Sequence, residues 1–412
     1  MSTCRFDRRT LLKGTGAALL TAGSGALLRT QPIRAADPSA APSPAPIPGS
    51  RVPIETIRRA PKVLLHDHLD GGLRPQTVIE LADETGYGGL PTEDPDALAA
   101  WFLAGADRKS LELYLEGFDQ TVAVMQTPDA IARVAAECVE DLAADGIVYA
   151  EVRYAPEHST AQGLSMDAVM EAWLAGFATG MARAADAGTP IVVRALVTAM
   201  RQTDRSREVA AVALRFRDTG VVGFDLAGPE AGFPAIDHAP AFQAIRDASF
   251  RATCHAGEAA GLFSISDALG ACSADRIGHG VRLADDLFDE GGETRLGRVA
   301  RDVLDRRIPL EICPSSNVHT GAVPSIPEHP VERFRRLGIA VTVNTDNRLM
   351  SGVTVSSEMA TLSATFGIGL EEMRAMTIAA IDGSFAPYEE RMRILHEVVE
   401  PGYDRLIAEG AA

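Results

Sequence analysis

From residue 51 onward, short runs of aliphatic and β-branched residues alternate with longer stretches of helical period. The runs 63–66, 147–154, 191–198, 221–226, 252–255, 276–278, 309–312 and 340–344 are predicted strands. They are almost continuously apolar, which marks parallel strands covered by helices. The intervening helices have readable ends. Thr127-Pro128 supplies a cap and a first-turn proline, and Gly146 closes that helix. Stretches 165–188 and 206–220 repeat the pattern, with Ser165 and Ser206 as predicted caps and glycines as predicted stops.

Eight strands with helices between them in roughly 350 residues is the arithmetic of an α/β fold, a (β/α)8 TIM barrel. The segment 86–118 is too long for a minimal connection and is predicted as an insertion at the C-terminal mouth. A doubly wound open sheet fits less well. Gly278-His279-Gly280 lacks the third glycine of a dinucleotide fingerprint, and no Gly-Lys-Ser/Thr occurs to build a P-loop.

The first 36 residues are set apart from this pattern. Arg8-Arg9-Thr10-Leu11-Leu12-Lys13 precedes a mild apolar run, 14–28, and Ala35-Ala36 offers a cleavage site. This is a twin-arginine signature, and the run is short for a membrane span. The expectation is a signal peptide at 1–36, an Ala/Pro/Ser linker at 37–50 and a barrel at 51–412. The protein would be exported by the twin-arginine machinery and be secreted, periplasmic or cell-surface-associated, without a stable membrane span. That route carries folded proteins, often with a cofactor in place.

Charge sharpens the picture. The 412 residues carry −17 formally. Six basic residues and one acid lie within 1–36, so the mature chain would carry −22. Such acidity argues against nucleic acid as a partner. Of the five cysteines Cys4 leaves with the leader, and the spacing of Cys138, Cys254, Cys272 and Cys313 suggests neither a metal site nor a disulfide framework. They are expected as small buried apolar residues.

Polar residues cluster just after predicted strands. His66 and His68 end the first, His255 ends the fifth with Glu258 close behind, His279 follows the sixth, and Asp346 follows the eighth. Each alone has a bland explanation as a core histidine, a helix cap or a first-turn acid. Together they fit one mouth of a barrel, and imidazoles with a carboxylate suit Zn²⁺. His158, His238, His329 and His396 lack such partners and are expected to be structural or exposed, while His319 is open to either reading.

The motifs His66-Asp67-His68-Leu69-Asp70-Gly71, His255-Ala256-Gly257-Glu258, Ile277-Gly278-His279-Gly280, Cys313-Pro314-Ser315-Ser316-Asn317 and Asn344-Thr345-Asp346 resemble, in that order, those of the adenosine deaminases within the amidohydrolase superfamily. The resemblance runs from about Pro61 to Met350. It implies that His66, His68, His255 and Asp346 hold one zinc ion. It implies further that Glu258 gives a proton to purine N1 and that His279 orients and helps deprotonate the attacking water. Gly228 would offer its N–H to N3, and Asp70 would accept from the ribose. Leu111, Tyr114, Leu115 and Phe118 are similar to the family's apolar gate, although their helical spacing also suits core residues. The catalytic set would be Glu258, His279 and Asp346.

Two features qualify this reading. Only Lys13, Lys62 and Lys109 are lysines, and none stands at 221–229, so a carbamylated lysine bridging two metals is chemically excluded. The family's second acid after Asn-Thr-Asp is replaced by Asn347, followed by Arg348, expected as a cation near the mouth. Asn347 can still donate its amide hydrogens to N7 of a purine. A mononuclear amidohydrolase acting on another aminopurine or a modified nucleoside is therefore the alternative. A non-enzymatic binding protein is disfavoured by the intact polar set. Neither the cytidine-deaminase zinc motif nor Gly-x-Ser-x-Gly is present.

Overall fold

A computed structural model describes residues 49–410. The leader expected at 1–36, and all of the linker except Gly49 and Ser50, lie outside these described residues. Eight parallel strands form one sheet: β1 (Lys62–His68), β2 (Ile147–Tyr154), β3 (Val192–Met200), β4 (Val221–Ala227), β5 (Arg251–Ala256), β6 (Arg276–His279), β9 (Leu310–Ile312) and β10 (Val341–Val343). Their order in the sheet is their order in the chain. A parallel bridge between Asp67 and Asp346 joins the last strand's exit to the first and closes the ring. This is a (β/α)8 barrel, and every predicted barrel strand is present.

Between β6 and β9 lies a hairpin that the periodicity did not predict, β7 (Leu287–Glu290) paired antiparallel with β8 (Glu293–Leu296). Its Gly291-Gly292 turn has positive φ at both positions, the one signal that could have found it. The strands are short and mostly exposed, so they carry little apolar pattern.

Local chemistry sets the outer helices. Thr127 Oγ1 accepts from Ala130 N and Ser165 Oγ from Ala168 N, opening helices Pro128–Ala144 and Met166–Asp186 as predicted. Ser206 differs. It is the first helical residue rather than the cap, and its helix stops at Arg215, well before Gly220. The backbone of Arg205 has already turned toward helical geometry, which leaves Ser206 inside the first turn. The two long helices pack tightly because Gly176 and Gly180 of the second face the first. A Cβ at either position would run into the carbonyl oxygen of Ala132 or Ala136. The insertion over 86–118 forms helices Pro95–Ala106 and Leu111–Leu115, the second of which lines the mouth. No helix among the described residues is long and apolar enough to cross a membrane.

Candidate active site and metal centre

The barrel interior is polar beneath the mouth. Arg153 pairs with Asp225 and Glu311, and Arg276 pairs with Glu311 and Glu151, all fully or almost fully buried. Three acids against two guanidiniums leave an excess negative charge under the site. Burial opposes ionisation of Glu311, but Arg153 and Arg276 overcome it and hold the carboxyl well below its ordinary value.

This network aims the imidazoles. His66 Nδ1 lies 2.8 Å from Glu311 Oε2, and His255 Nδ1 lies 3.2 Å from Asp225 Oδ1 and 3.1 Å from the Leu226 carbonyl. A ring that donates at Nδ1 turns the Nε2 lone pair into the mouth, the usual outer-layer arrangement behind a metal. His66 Nε2 is buried without a hydrogen-bond partner. His68 Nε2 and His255 Nε2 face each other at 3.1 Å, and Asp346 Oδ1 lies 3.3 Å from both His66 Nε2 and His68 Nε2. Facing lone pairs repel unless a proton or a cation lies between them. The donor atoms of His66, His255, His279 and Asp346 also fall within 4.8 Å of one another. A buried His/Asp set of this kind fits one divalent cation of the zinc class.

Two of these residues are held in unusual backbone. His279 and Asp346 have φ of 61° and 60°, a region that side-chain-bearing residues rarely occupy. The strands on either side fix them there. Asp346 N donates to the His66 carbonyl, and Gly280 N donates to the Ala256 carbonyl. Such strain is concentrated where chemistry needs a fixed side chain.

The cluster forms the floor of a cavity of about 380 Å³. Glu258 enters from one side, its Oε2 3.5 Å from His279 Nε2 and its Oε1 unpartnered. Burial, reinforced by the nearby charges of Asp346 and Glu230, pushes its carboxyl well above the ordinary range and favours its protonated form. Asp70, Gly228 and Asn347 all reach the cavity wall, and Leu111, Tyr114, Leu115 and Phe118 form an apolar side. Gly228 has φ of 106°, and a Cβ there would strike Gln202 Oε1. Tyr114 serves the core as well, with its hydroxyl 3.0 Å from Ser351 Oγ.

Several expectations are corrected. His158 is no bystander: it lines the cavity, with Nδ1 3.4 Å from Asp70 Oδ2. Burial opposes its charge, but the hydrogen bond and charge of Asp70 prevail and raise its pKa. His329 is buried and structural, as expected, with Nε2 3.2 Å from Asn317 Oδ1. His319 Nδ1 rests against Ser351 Oγ at 3.3 Å, His238 is buried against the Arg201 carbonyl, and His396 pairs with Glu400 at the surface. Arg348 is not a loose cation at the mouth. It is largely withdrawn from solvent, 3.0 Å from Asp67 Oδ1 and 3.6 Å from Asp141 Oδ2. The four described cysteines are buried and unbridged, as expected.

Sequence reading missed Glu230. Its buried carboxylate accepts the backbone N–H groups of Gly257, Glu258, Ala259 and Ala260 at 2.6–3.0 Å, and the Ser264 hydroxyl. It thereby ties down the loop that carries Glu258. No local pattern marks it; only its position after β4 hinted at a role.

Comparison with known proteins agrees with this geometry. Residues 61–401 match the family model described as adenosine deaminase. A curated adenosine deaminase from Mycobacteroides abscessus is 57% identical over 353 residues, covering 85% of this chain and 98% of that protein. The crystal structure of the Arabidopsis N6-mAMP deaminase superposes with a TM-score of 0.71 at 28% identity, over 85% of this chain and 99% of the other. An amidohydrolase from Burkholderia ambifaria, crystallised with bound Zn, shares the fold with a TM-score of 0.73 at 23% identity, over 87% and 94% of the two chains. The chain is a hydrolytic deaminase and belongs to the adenosine deaminase family.

Proposed function

We propose that the protein is an exported, zinc-dependent enzyme that hydrolyses adenosine and deoxyadenosine to inosine and deoxyinosine, releasing ammonia. One observation carries the choice of nucleoside over nucleotide. The cavity wall holds Asp70 and Asp119 but no lysine or arginine among the described residues, so a 5′-phosphate would meet acids and no permanent cation. The Asp70 Oδ1 atom is buried and unpartnered, a free acceptor for a ribose hydroxyl.

His66, His68, His255 and Asp346 would hold one zinc ion, which when bound supplies a hydroxide nucleophile at neutral pH. The chain's own groups do the rest. The apolar side of Leu111, Tyr114, Leu115 and Phe118 packs the base and excludes water. Glu258, protonated by its burial, gives its proton to ring N1 as the attacking oxygen adds at carbon 6. Asn347 would donate its amide hydrogens to N7, and Gly228 its N–H to N3. The twin-arginine leader accounts for export of an already folded, metal-loaded barrel.

The test is a substrate panel on metal-analysed protein: adenosine, deoxyadenosine, adenine, AMP and N6-methylated aminopurines. The expected result is one zinc per chain, turnover of both nucleosides, and kcat/KM for AMP at least about 100-fold lower, the loss expected for an unpaired anion against a carboxylate. Preference for AMP or for an N6-methylated purine would overturn the substrate. Replacing Arg8 and Arg9 by lysine is expected to retain the protein in the cytoplasm; unchanged export would overturn the route.

A further inference from the structure

His279 reaches the reacting centre through Nε2, and which of its nitrogens carries the proton decides what it can do there. The answer is written in a chain of three contacts leading away from the cavity. Val331 N donates to His329 Nδ1 at 3.1 Å. A backbone N–H cannot act as an acceptor, so the sense of this first bond is fixed. His329 is buried, which pushes its pKa down to about 3 and keeps the ring neutral. With Nδ1 accepting, its single ring proton stands on Nε2 and is donated to Asn317 Oδ1 at 3.2 Å. That bond orients the Asn317 amide, whose Nδ2 then donates to His279 Nδ1 at 3.0 Å. His279 is left with its proton on Nε2, facing Glu258 and the cluster of His66, His255 and Asp346.

We propose that His329 is a positioning residue for the deamination: acting through Asn317, it fixes His279 as an Nε2–H donor toward the attacking oxygen. Two consequences follow. His279 Nε2 has no lone pair to offer, so it neither takes the proton of the water nor ligates the metal through that atom. Of the converging donors, the lone pairs that remain are those of His66, His68, His255 and Asp346. This departs from the base role that the family resemblance implied for His279. Asn317 is fully buried and His329 nearly so, and both side chains are hydrogen-bonded along this one line.

The kinetic part of this inference rests on the deaminase reading, whereas the tautomer can be read without any substrate. The test uses zinc-loaded, full-length protein labelled with ¹⁵N in histidine, with the His279 signal assigned by its loss in His279→Gln. Wild type is expected to show a protonated Nε2 and an unprotonated Nδ1 on His279. Asn317→Asp replaces the amide donor by an acceptor and is expected to move the proton to Nδ1, lowering kcat by about 100-fold with KM little changed. His329→Leu frees the amide to rotate; a mixed His279 signal and a kcat loss of about tenfold are expected. His329→Gln keeps an N–H for Asn317 Oδ1 and is expected to recover most of that loss, which a mere packing role would not produce. An Nδ1–H form of His279 in wild type would overturn the proposal. So would a His329→Leu protein with the wild-type signal and kcat. If the tautomer is as expected but no purine is deaminated, it is the substrate reading that fails.

Discussion

Asp67 and Asp346 face each other across the seam where the barrel closes, and the strand pairing there is made by residues of the site itself. Asp346 N donates to the His66 carbonyl at 2.9 Å, and His68 N donates to the Asp346 carbonyl at 2.7 Å. The Asp67 side chain crosses the same seam, accepting from Thr345 Oγ1 at 2.7 Å and from Arg348 Nε at 3.0 Å. Barrel closure and donor placement are thus one event.

Removing Arg348 tests this coupling. Arg348→Leu leaves the Asp67 carboxylate buried without its cation, a change that costs about 3–5 kcal/mol when such a pair is broken. The expected outcome is a large drop in the denaturant midpoint and weaker zinc retention on dialysis. Loss of neither would show that the seam is held by its backbone bonds alone.

Chelation is expected to abolish turnover and to lower Tm by several degrees, both restored by one equivalent of zinc. A second tight equivalent is not expected. Lys62 donates to the carbonyls of Ile57, Arg58 and Ala60 at the far end of β1, and Lys109 reaches the Val318 carbonyl outside the cavity. Neither can bridge two metals. Metal analysis showing two ions in the site would refute this.

Glu258 must hold its proton to act as an acid. Its raised pKa favours the protonated form, and activity is lost as pH rises through that value. A basic limb in the pH profile of kcat/KM is expected. Glu258→Gln cannot give up a proton and is expected to lose about 10²–10⁴ in kcat with substrate binding largely retained. Near-wild-type kcat in this variant would remove Glu258 from the chemistry.

Glu358 makes a stability prediction away from the reacting atoms. It is buried, its Oε1 accepts from Ser315 N at 3.1 Å, and its Oε2 has no partner. Burial pushes its carboxyl from 4.5 up to about 8. Because the folded value exceeds the unfolded one, its contribution is fully present below about 4.5 and is lost as pH rises toward 8. Glu358→Gln, which does not titrate, is expected to gain on wild type across that interval, by on the order of 1.4 kcal/mol per pH unit at most. Denaturant unfolding of both proteins at pH 5, 6.5 and 8 checks it. A constant difference would show that Glu358 ionises normally.

Sequence alone determined the eight barrel strands, because a buried parallel strand stays rich in aliphatic and β-branched residues even where a few charged ones, such as Glu151 and Arg153, pair inside the barrel, and that enrichment is local. It also determined the neighbourhood of His66, His68, His255, Glu258, His279 and Asp346, since residues that follow barrel strands share one face whatever the loops do. The missing lysines settled the one-metal expectation before any fold was known. What only the tertiary structure decided are the partners. Glu230 serves a loop some thirty residues on, and Glu311 lies 245 residues from the His66 ring that it orients. Arg348 reads as a cation near the mouth until Asp67 is set beside it. His329 looks isolated until folding brings it to Asn317, and Asn317 to His279. The periodicity of a chain records which side of an element is buried. The direction of a hydrogen bond and the compensation of a charge depend on a second residue whose place is fixed only when the barrel closes.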